Sequence, residues 1–303
     1  MTSSPRAVLL VTNSRRDDVR DFAVAVTQAL QSAGIHVRMS RDEIEEFHDR
    51  GGDPTPSWIP IDPDEHGADG CELVIVLGGD GAILRGAERA RSASVPLLGI
   101  NLGRVGFLAE AEREDVDVVV RAIVDRDWQM EERTTLDVSL HVAGAEVFRT
   151  WALNDVSIEK AAREHMVEIL VEIDGRPVSR WGCDGVVCAT PTGSTAYAFS
   201  AGGPVVWPEV EALLVVPISA HALFARPLVV SPASIIALEL PDDGTQAVLW
   251  ADGRRSIDVP AHARIEVRRH AEPVRLARLH RGPFADRLVA KFDLPVEGWR
   301  GRR

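Results

Sequence analysis

Leu73-Val74-Ile75-Val76-Leu77-Gly78-Gly79-Asp80-Gly81-Ala82-Ile83-Leu84-Arg85 decides the fold. Its consecutive apolar residues fit a strand buried on both faces, as strands of a parallel sheet are, and the glycine-rich turn opens a helix-compatible run ending near Arg91. A strand, tight turn and helix in that order aim backbone N–H groups and the positive end of the helix dipole at one spot. That makes an anion site, with phosphate as its natural guest. Alternating strands and helices on either side imply right-handed crossovers in a parallel sheet, with the ligand at the carboxyl ends of the strands, where this turn lies.

Upstream, Val8 to Val11 is a short apolar run leading into Thr12-Asn13-Ser14. Val19, Phe22, Ala23, Val26 and Leu30 then fall near helical spacing over 18–33, with Gly34 as the C-terminal stop. Ile35 to Met39 supplies the next strand and completes an opening β-α-β unit. Residues 41–70 are acidic and rich in Pro and Gly with no sustained period, and read as a long mobile loop beside the anion site, either a lid or a plain solvated insertion. Downstream, Val95 to Asn101 is another buried strand. Asn101 and Arg104 either face the same crevice or serve the loop itself, and a helix over 115–124 closes this half before Trp128.

From about Glu132 the period changes to two. Leu136, Val138, Leu140 and Val142 alternate with polar residues, as do Val167, Ile169, Val171 and Ile173 before an Asp174-Gly175 hairpin turn. Ile236, Leu238 and Leu240, then Ala263, Ile265 and Val267, keep that rhythm, which predicts two packed antiparallel sheets. Phe284, Leu288 and Phe292 lie four apart, so a short amphipathic helix can pack back onto the first domain. The expected organisation is an α/β domain with a parallel sheet over 1–130, a β-rich two-sheet sandwich over 131–275, and a return segment over 276–303.

At 303 residues the chain can bury a substantial core. A net charge of -12 argues against a general nucleic-acid binder, and the longest apolar stretches are broken well short of a membrane span. No apolar h-region follows Met1, so a cytoplasmic location is expected. Cys71, Cys183 and Cys188 form an odd set without metal-ligand spacing and read as buried reduced thiols.

Asp80 is the informative residue of the turn, because a carboxylate in a phosphate cradle repels its guest unless it binds a metal or removes a proton. The turn is not a Walker A loop, which ends in Gly-Lys-Ser/Thr, nor a GxGxxG motif, since Gly78, Gly79 and Gly81 are wrongly spaced. A second constellation runs from Gly182 to Pro204: a short buried strand enters Thr190-Pro191-Thr192-Gly193-Ser194-Thr195-Ala196-Tyr197, then a small-residue helix opening at Ser194 or Thr195. Its hydroxyls can bond ribose or a base edge, or they can cap the helix. Tyr197, the chain's single tyrosine, offers a ring that can stack on a base.

Gly78-Gly79-Asp80-Gly81 resembles the Gly-Gly-Asp-Gly-Thr hallmark of the NAD kinases, a loop shared with diacylglycerol and sphingosine kinases and with 6-phosphofructokinases. Asp184-Gly185 followed by Thr190 to Tyr197 resembles the NAD kinase signature alone, and matching motifs in the family's order span roughly 70 to 232. The closing stretch from Arg287 to Trp299 is similar to actinobacterial members. The resemblance implies an ATP-dependent kinase that phosphorylates the 2′-hydroxyl of the adenosine ribose of NAD. It implies Asp80 as proton acceptor with Gly79, Gly81 and Arg85 beside it, Asn154 and Asp155 on a nucleoside portion of NAD, and His165 and Asp184 at NAD-contact positions. Thr195, Ala196, Tyr197, Ala198, Phe199 and Ser200 would surround the second nucleoside, and His221 would brace the β domain. A divalent ion, magnesium, is implied without a visible ligand set, as is a homodimer or homotetramer; polyphosphate stands as an alternative donor to ATP. Ala82 departs from the family's Thr and removes one hydroxyl contact to phosphate or metal. A lipid kinase and a non-catalytic nucleotide-binding regulator are the rival readings.

Overall fold

The computed structural model describes residues 5–12, 16–49, 56–103, 106–109, 111–112, 116–162, 165–241, 246–279 and 282–296. Asn13, Ser14, Arg104, Asp115 and Trp299 lie outside the described residues. In chain order the first elements are β1 (Ala7–Thr12), α1 (Asp17–Ser32), β2 (His36–Ser40), α2 (Arg41–Asp49), β3 (Ile59–Ile61), β4 (Leu73–Leu77), α3 (Asp80–Ala90), β5 (Leu97–Asn101), β6 (Ala111–Glu112), α4 (Val116–Asp125) and β7 (Gln129–Arg133). There follow β8 (Leu136–Val142), β9 (Ala145–Ala152), β10 (Asp155–Lys160), β11 (Val167–Ile173), β12 (Arg176–Cys183) and β13 (Gly185–Ala189). After a 3₁₀ turn (Thr192–Thr195) and the one-turn α5 (Tyr197–Ser200) come β14 (Leu213–Ile218), β15 (Leu228–Val230), β16 (Ile236–Glu239), β17 (Ala247–Ala251), β18 (Arg255–Val259) and β19 (Arg264–Arg269). The last are β20 (Val274–Arg278) and α6 (Phe284–Phe292). The chain divides into two units, 1–132 with 274–303, and 133–273.

The first unit holds a sheet in the order β3-β2-β1-β4-β5-β20-β7, with β6 on β5. The pairs β1/β2, β1/β4, β4/β5 and β5/β20 are parallel. Every residue of β1, β4 and β5 is buried, as continuous apolar runs require in a sheet covered on both faces. Residues 41–70 depart from the expected mobile loop: α2 and β3 fall there. Phe47 on α2 is 2% exposed and meets the 7% exposed Trp58 edge-on, with ring centroids 4.9 Å apart. The Trp58 Nε1–H donates to the Thr27 hydroxyl on α1 at 3.0 Å. The nine-residue helix has too few turns for its period to stand out from its acidic composition.

The second unit is a sandwich of two six-stranded sheets, β12-β11-β16-β19-β8-β9 and β15-β14-β13-β10-β17-β18, antiparallel throughout. Val138, Val171 and Ile265 of one sheet and Ile158, Cys188 and Leu249 of the other share one core. The outer face of the second sheet carries Val187, Ala189, Leu214 and Val216, covered by Ala198 and Val206. All three cysteines are buried and free, and burial pushes the Cys183 and Cys188 thiols up to about 12, which leaves them unreactive. The predicted helix from Ser194 or Thr195 is instead a 3₁₀ turn followed by a single α turn. The Ser194 and Thr195 hydroxyls donate back to the Pro191 and Thr192 carbonyls at 2.6 and 3.3 Å and tighten the segment.

Candidate functional site

The sequence-predicted residues fall into one cluster in each unit. In the first, α3 begins where β4 ends, and Gly79 enters the helix in an extended conformation without a side-chain cap. The Ala82 and Ile83 N–H groups turn back to the Gly79 carbonyl, so those of Asp80 and Gly81 head the helix. A Cβ at Gly79 or Gly81 would meet nothing within 4 Å, and the backbone is open to approach.

Asp80 stands at this mouth, where the helix dipole favours a negative charge. Its Oδ2 accepts the Phe107 N–H at 3.3 Å and its Oδ1 the Leu108 N–H at 3.2 Å. Those bonds fix the carboxylate yet leave lone pairs on both oxygens. Gly106 is required beside it, since a Cβ there would lie 2.4 Å from Asp80 Oδ1. Arg85, 5 residues along α3, donates to the Thr12 carbonyl at the end of β1 at 2.9 Å. Beneath it, Glu43 of α2 pairs with Arg89 at 3.5 Å and accepts the Thr12 N–H at 3.4 Å. Burial raises the Glu43 pKa, against the pull of Arg89. Asn101 serves the loop, accepting the Gly103 N–H at 2.9 Å. No trio of metal-ligating side chains converges among the described residues.

In the second unit, Asn154, Asp155, Ser157, Glu159, Ala196, Tyr197, Trp250, Asp252 and Gly253 wall a cavity of about 450 Å³. The pleat of β10 explains three of them: Asp155, Ser157 and Glu159 alternate onto the outer face while Val156 and Ile158 enter the core. Trp250 is the cross-strand partner of Ser157, and the Ser157 hydroxyl donates to Glu159 Oε1 at 2.6 Å. Asp155 is only 5% exposed. Burial, then the charges of Asp252 and Glu159, push its carboxyl up to about 7 against the Tyr197 N–H. The same Glu159 charge adds to burial in raising the Tyr197 phenol.

Asp252 holds this wall together. It sits at φ 53° in the β17–β18 turn and accepts the Leu153, Asn154 and Asp155 N–H groups at 3.0, 2.7 and 3.4 Å, with Arg255 at 3.1 Å. Thr190 donates to the Leu153 and Asn154 carbonyls at 2.6 and 3.2 Å, and the Ser194 hydroxyl donates to the Val206 carbonyl at 3.1 Å and accepts the Val206 N–H at 2.9 Å. These hydroxyls are structural, so the signature's polarity is spent on shaping the backbone. A Cβ at Gly193 would lie 1.9 Å from the Asn154 carbonyl oxygen, which only glycine permits.

Asn154, Asp155, Ala196 and Tyr197 are thus brought together. Thr195, Phe199 and Ser200 lie outside the cavity wall, and Ala198 faces the core. His165 is exposed, and Asp184 pairs with Lys160 at 2.6 Å, a hydrogen bond that lowers its carboxyl pKa. His221 braces the sheet through its backbone, donating its N–H to the Gly182 carbonyl at 2.8 Å. Ser157, Glu159, Trp250 and Asp252 escaped the sequence reading, although alternation from Asp155 marks the first two.

Comparison with known proteins gives matches over nearly the full length of the chain. Residues 8–128 match the model of the ATP-NAD kinase N-terminal domain, and 153–279 that of the ATP-NAD kinase C-terminal domain. The chain is 57% identical to the NAD kinase of Thermobifida fusca over 98% of its own length and 92% of that protein's. It is 53% identical to the NAD kinase of Mycobacterium tuberculosis, over 98% and 99%. Among solved structures, yeast NADH kinase complexed with NADH superposes with a TM-score of 0.86 at 25% identity, covering 97% of this chain and 90% of the other. An NAD kinase from Archaeoglobus fulgidus in complex with ATP gives 0.71 at 26%, covering 96% and 100%.

Proposed function

The chain belongs to the ATP-NAD kinase family, and on that footing we propose that it transfers the γ-phosphoryl group of ATP to the 2′-hydroxyl of the adenosine ribose of NAD, giving NADP and ADP. One observation carries the assignment of roles: the Asp80 carboxylate, gripped by two backbone N–H groups at the head of α3. Asp80 takes the proton of the attacking hydroxyl, and the N-terminus of α3 faces the phosphates. Asp155, with Asn154 beside it, accepts hydrogen bonds from ribose hydroxyls, and the rings of Tyr197 and Trp250, each 38% exposed, offer faces to a base.

The donor set fits a magnesium ion that arrives with the nucleotide. Among the described residues no trio of ligating side chains converges, and a single carboxylate with spare lone pairs suits an ion that keeps its waters and binds through substrate phosphates. Asp80 would hold it, and when bound the ion neutralises charge on the transferring group. ATP is the proposed donor, with polyphosphate the alternative. Assembly as a homodimer or homotetramer is supported by the exposed apolar side chains Trp207, Leu223, Phe224 and Val229 of the second unit. A cytoplasmic location is supported by the three free thiols, and among the described residues no helix is long and apolar enough to cross a membrane.

The test is incubation with magnesium, ATP and NAD, with NADP read out by a dehydrogenase specific for it. Asp80→Asn keeps size and turn geometry, so turnover should collapse while calorimetric NAD binding persists. Near-normal turnover in that variant would reject Asp80 as the base.

A further inference from the structure

One of the two peptide groups that grip Asp80 is itself gripped from the far end of the chain. The Phe107 carbonyl accepts a hydrogen bond from Arg287 Nη1 of α6 at 3.3 Å. The next carbonyl, Leu108, accepts from Arg278 Nη1 of β20 at 3.1 Å, and Arg278 is only 5% exposed and pairs with Glu131 at 2.5 Å. The Phe107 ring, 7% exposed, lies between Phe284 and Phe292 of α6, with centroids 5.7 and 5.9 Å away.

The Phe107 carbonyl and the Leu108 N–H belong to one planar peptide unit. A guanidinium on the oxygen polarises that unit and strengthens the donor at its other end. The result is a continuous chain: Arg287 Nη1–H to the Phe107 carbonyl, through the peptide, and from the Leu108 N–H to Asp80 Oδ1. The aromatic trio fixes the plane of the segment, and Gly106 lets it pass close to the carboxylate.

We infer that Arg287 is a positioning residue for the phosphoryl-transfer base, acting on Asp80 through the Phe107–Leu108 peptide, and that α6 is therefore a working part of the first unit. This rests on the reading of Asp80 as the base. All members of this chain of contacts lie in the first unit. Arg287 touches neither nucleotide in this scheme, so its loss should alter turnover and spare NAD binding.

The experiment uses the full chain. Arg287→Met keeps the length of the side chain and removes its donors and charge. It should lower kcat about tenfold, with the Michaelis constant and calorimetric affinity for NAD unchanged. Arg287→Lys, which restores a cationic donor, should regain most of the lost turnover, and Phe292→Leu should produce a smaller loss of the same kind. In an Asp80→Asn background Arg287→Met should cost nothing further, because the residue it acts through is gone. Unchanged kcat in Arg287→Met, with turnover collapsed in Asp80→Asn, overturns this inference alone. Losses that multiply in the double variant, or a failure of lysine to rescue a folded protein, assign Arg287 a merely structural part and overturn it too. High turnover in Asp80→Asn overturns the parent reading instead.

Discussion

Asp155→Asn should make this protein more stable and less able to bind NAD. In the fold the Asp155 carboxyl is raised from 3.8 to about 7, chiefly by burial. At about 1.36 kcal/mol per pKa unit this separates the protonated and charged forms by roughly 4 kcal/mol. The sign follows from proton counts: between pH 4 and 7 the folded state keeps a proton that the unfolded chain releases. The stability due to the protonated acid is therefore complete below pH 4 and lost as pH rises through about 7. Asparagine is neutral throughout and nearly isosteric. It should match the parent within about 1 kcal/mol at pH 4 and exceed it by roughly 2–3 kcal/mol at pH 8, after allowing about 1 kcal/mol for the weakened bond from the Tyr197 N–H. For a unit of this size that is a Tm gain of roughly 8 °C at pH 8. Thermal melts of both proteins from pH 4 to 8 check it. Parallel pH dependences, or a lower Tm for the variant at pH 8, would refute the account of Asp155 as a buried, mutually repelled acid. At pH 8, where the carboxylate is charged, the same substitution should weaken NAD binding about 10- to 100-fold, since a hydrogen bond to a charged group contributes about 1.5–3 kcal/mol.

Gly106→Ala places a methyl 2.4 Å from Asp80 Oδ1, the end of a movable side chain, so Tm should hold while kcat falls about 100-fold on displacement of the carboxylate; melts and steady-state kinetics on one preparation decide it. Gly193→Ala meets the Asn154 backbone at 1.9 Å, which cannot yield cheaply, so the second unit should lose about 3 kcal/mol or more in denaturant titration, and NAD affinity with it. Ala82→Thr adds a hydroxyl in the first turn of α3 and should lower the Michaelis constant for ATP about three- to tenfold with NAD affinity nearly constant; indistinguishable kinetics with each substrate varied would mean that the hydroxyl finds no phosphate.

The elements that carry a long, clean period were legible in the chain. Leu73 to Leu77, an apolar run ending in a glycine-rich turn, fits a strand buried on both faces, and the alternation through Val167 to Ile173 fits a strand with one buried face. The 41–70 segment was not legible, because what orders α2 is a tertiary pair, Phe47 against Trp58, rather than a local pattern. The signature around Thr190 to Tyr197 was visible as a string, but its hydroxyls looked available when Thr190 and Ser194 are committed to backbone partners. Asp252 lies 97 residues from Asp155, and only the β10–β17 pairing brings it under Asn154. Likewise, nothing local to Phe284 or Arg287 points to Asp80; the spacing of apolar residues gives a helix face but not its partner.

The first sheet places β20 between β5 and β7, although residues 134–273 separate β20 from both in the chain. A ribosome adding roughly 5–20 residues per second delivers that stretch in about 7–28 s, during which β20, the shared neighbour of β5 and β7, is not yet made. The sandwich, contiguous in sequence, can close before the first sheet is complete, because β20 ends only at residue 278. The unit that starts first in the chain is thus the last to be completed, and a polypeptide that ends early by only a few tens of residues leaves β5 and β7 without their shared neighbour, an invitation to aggregate.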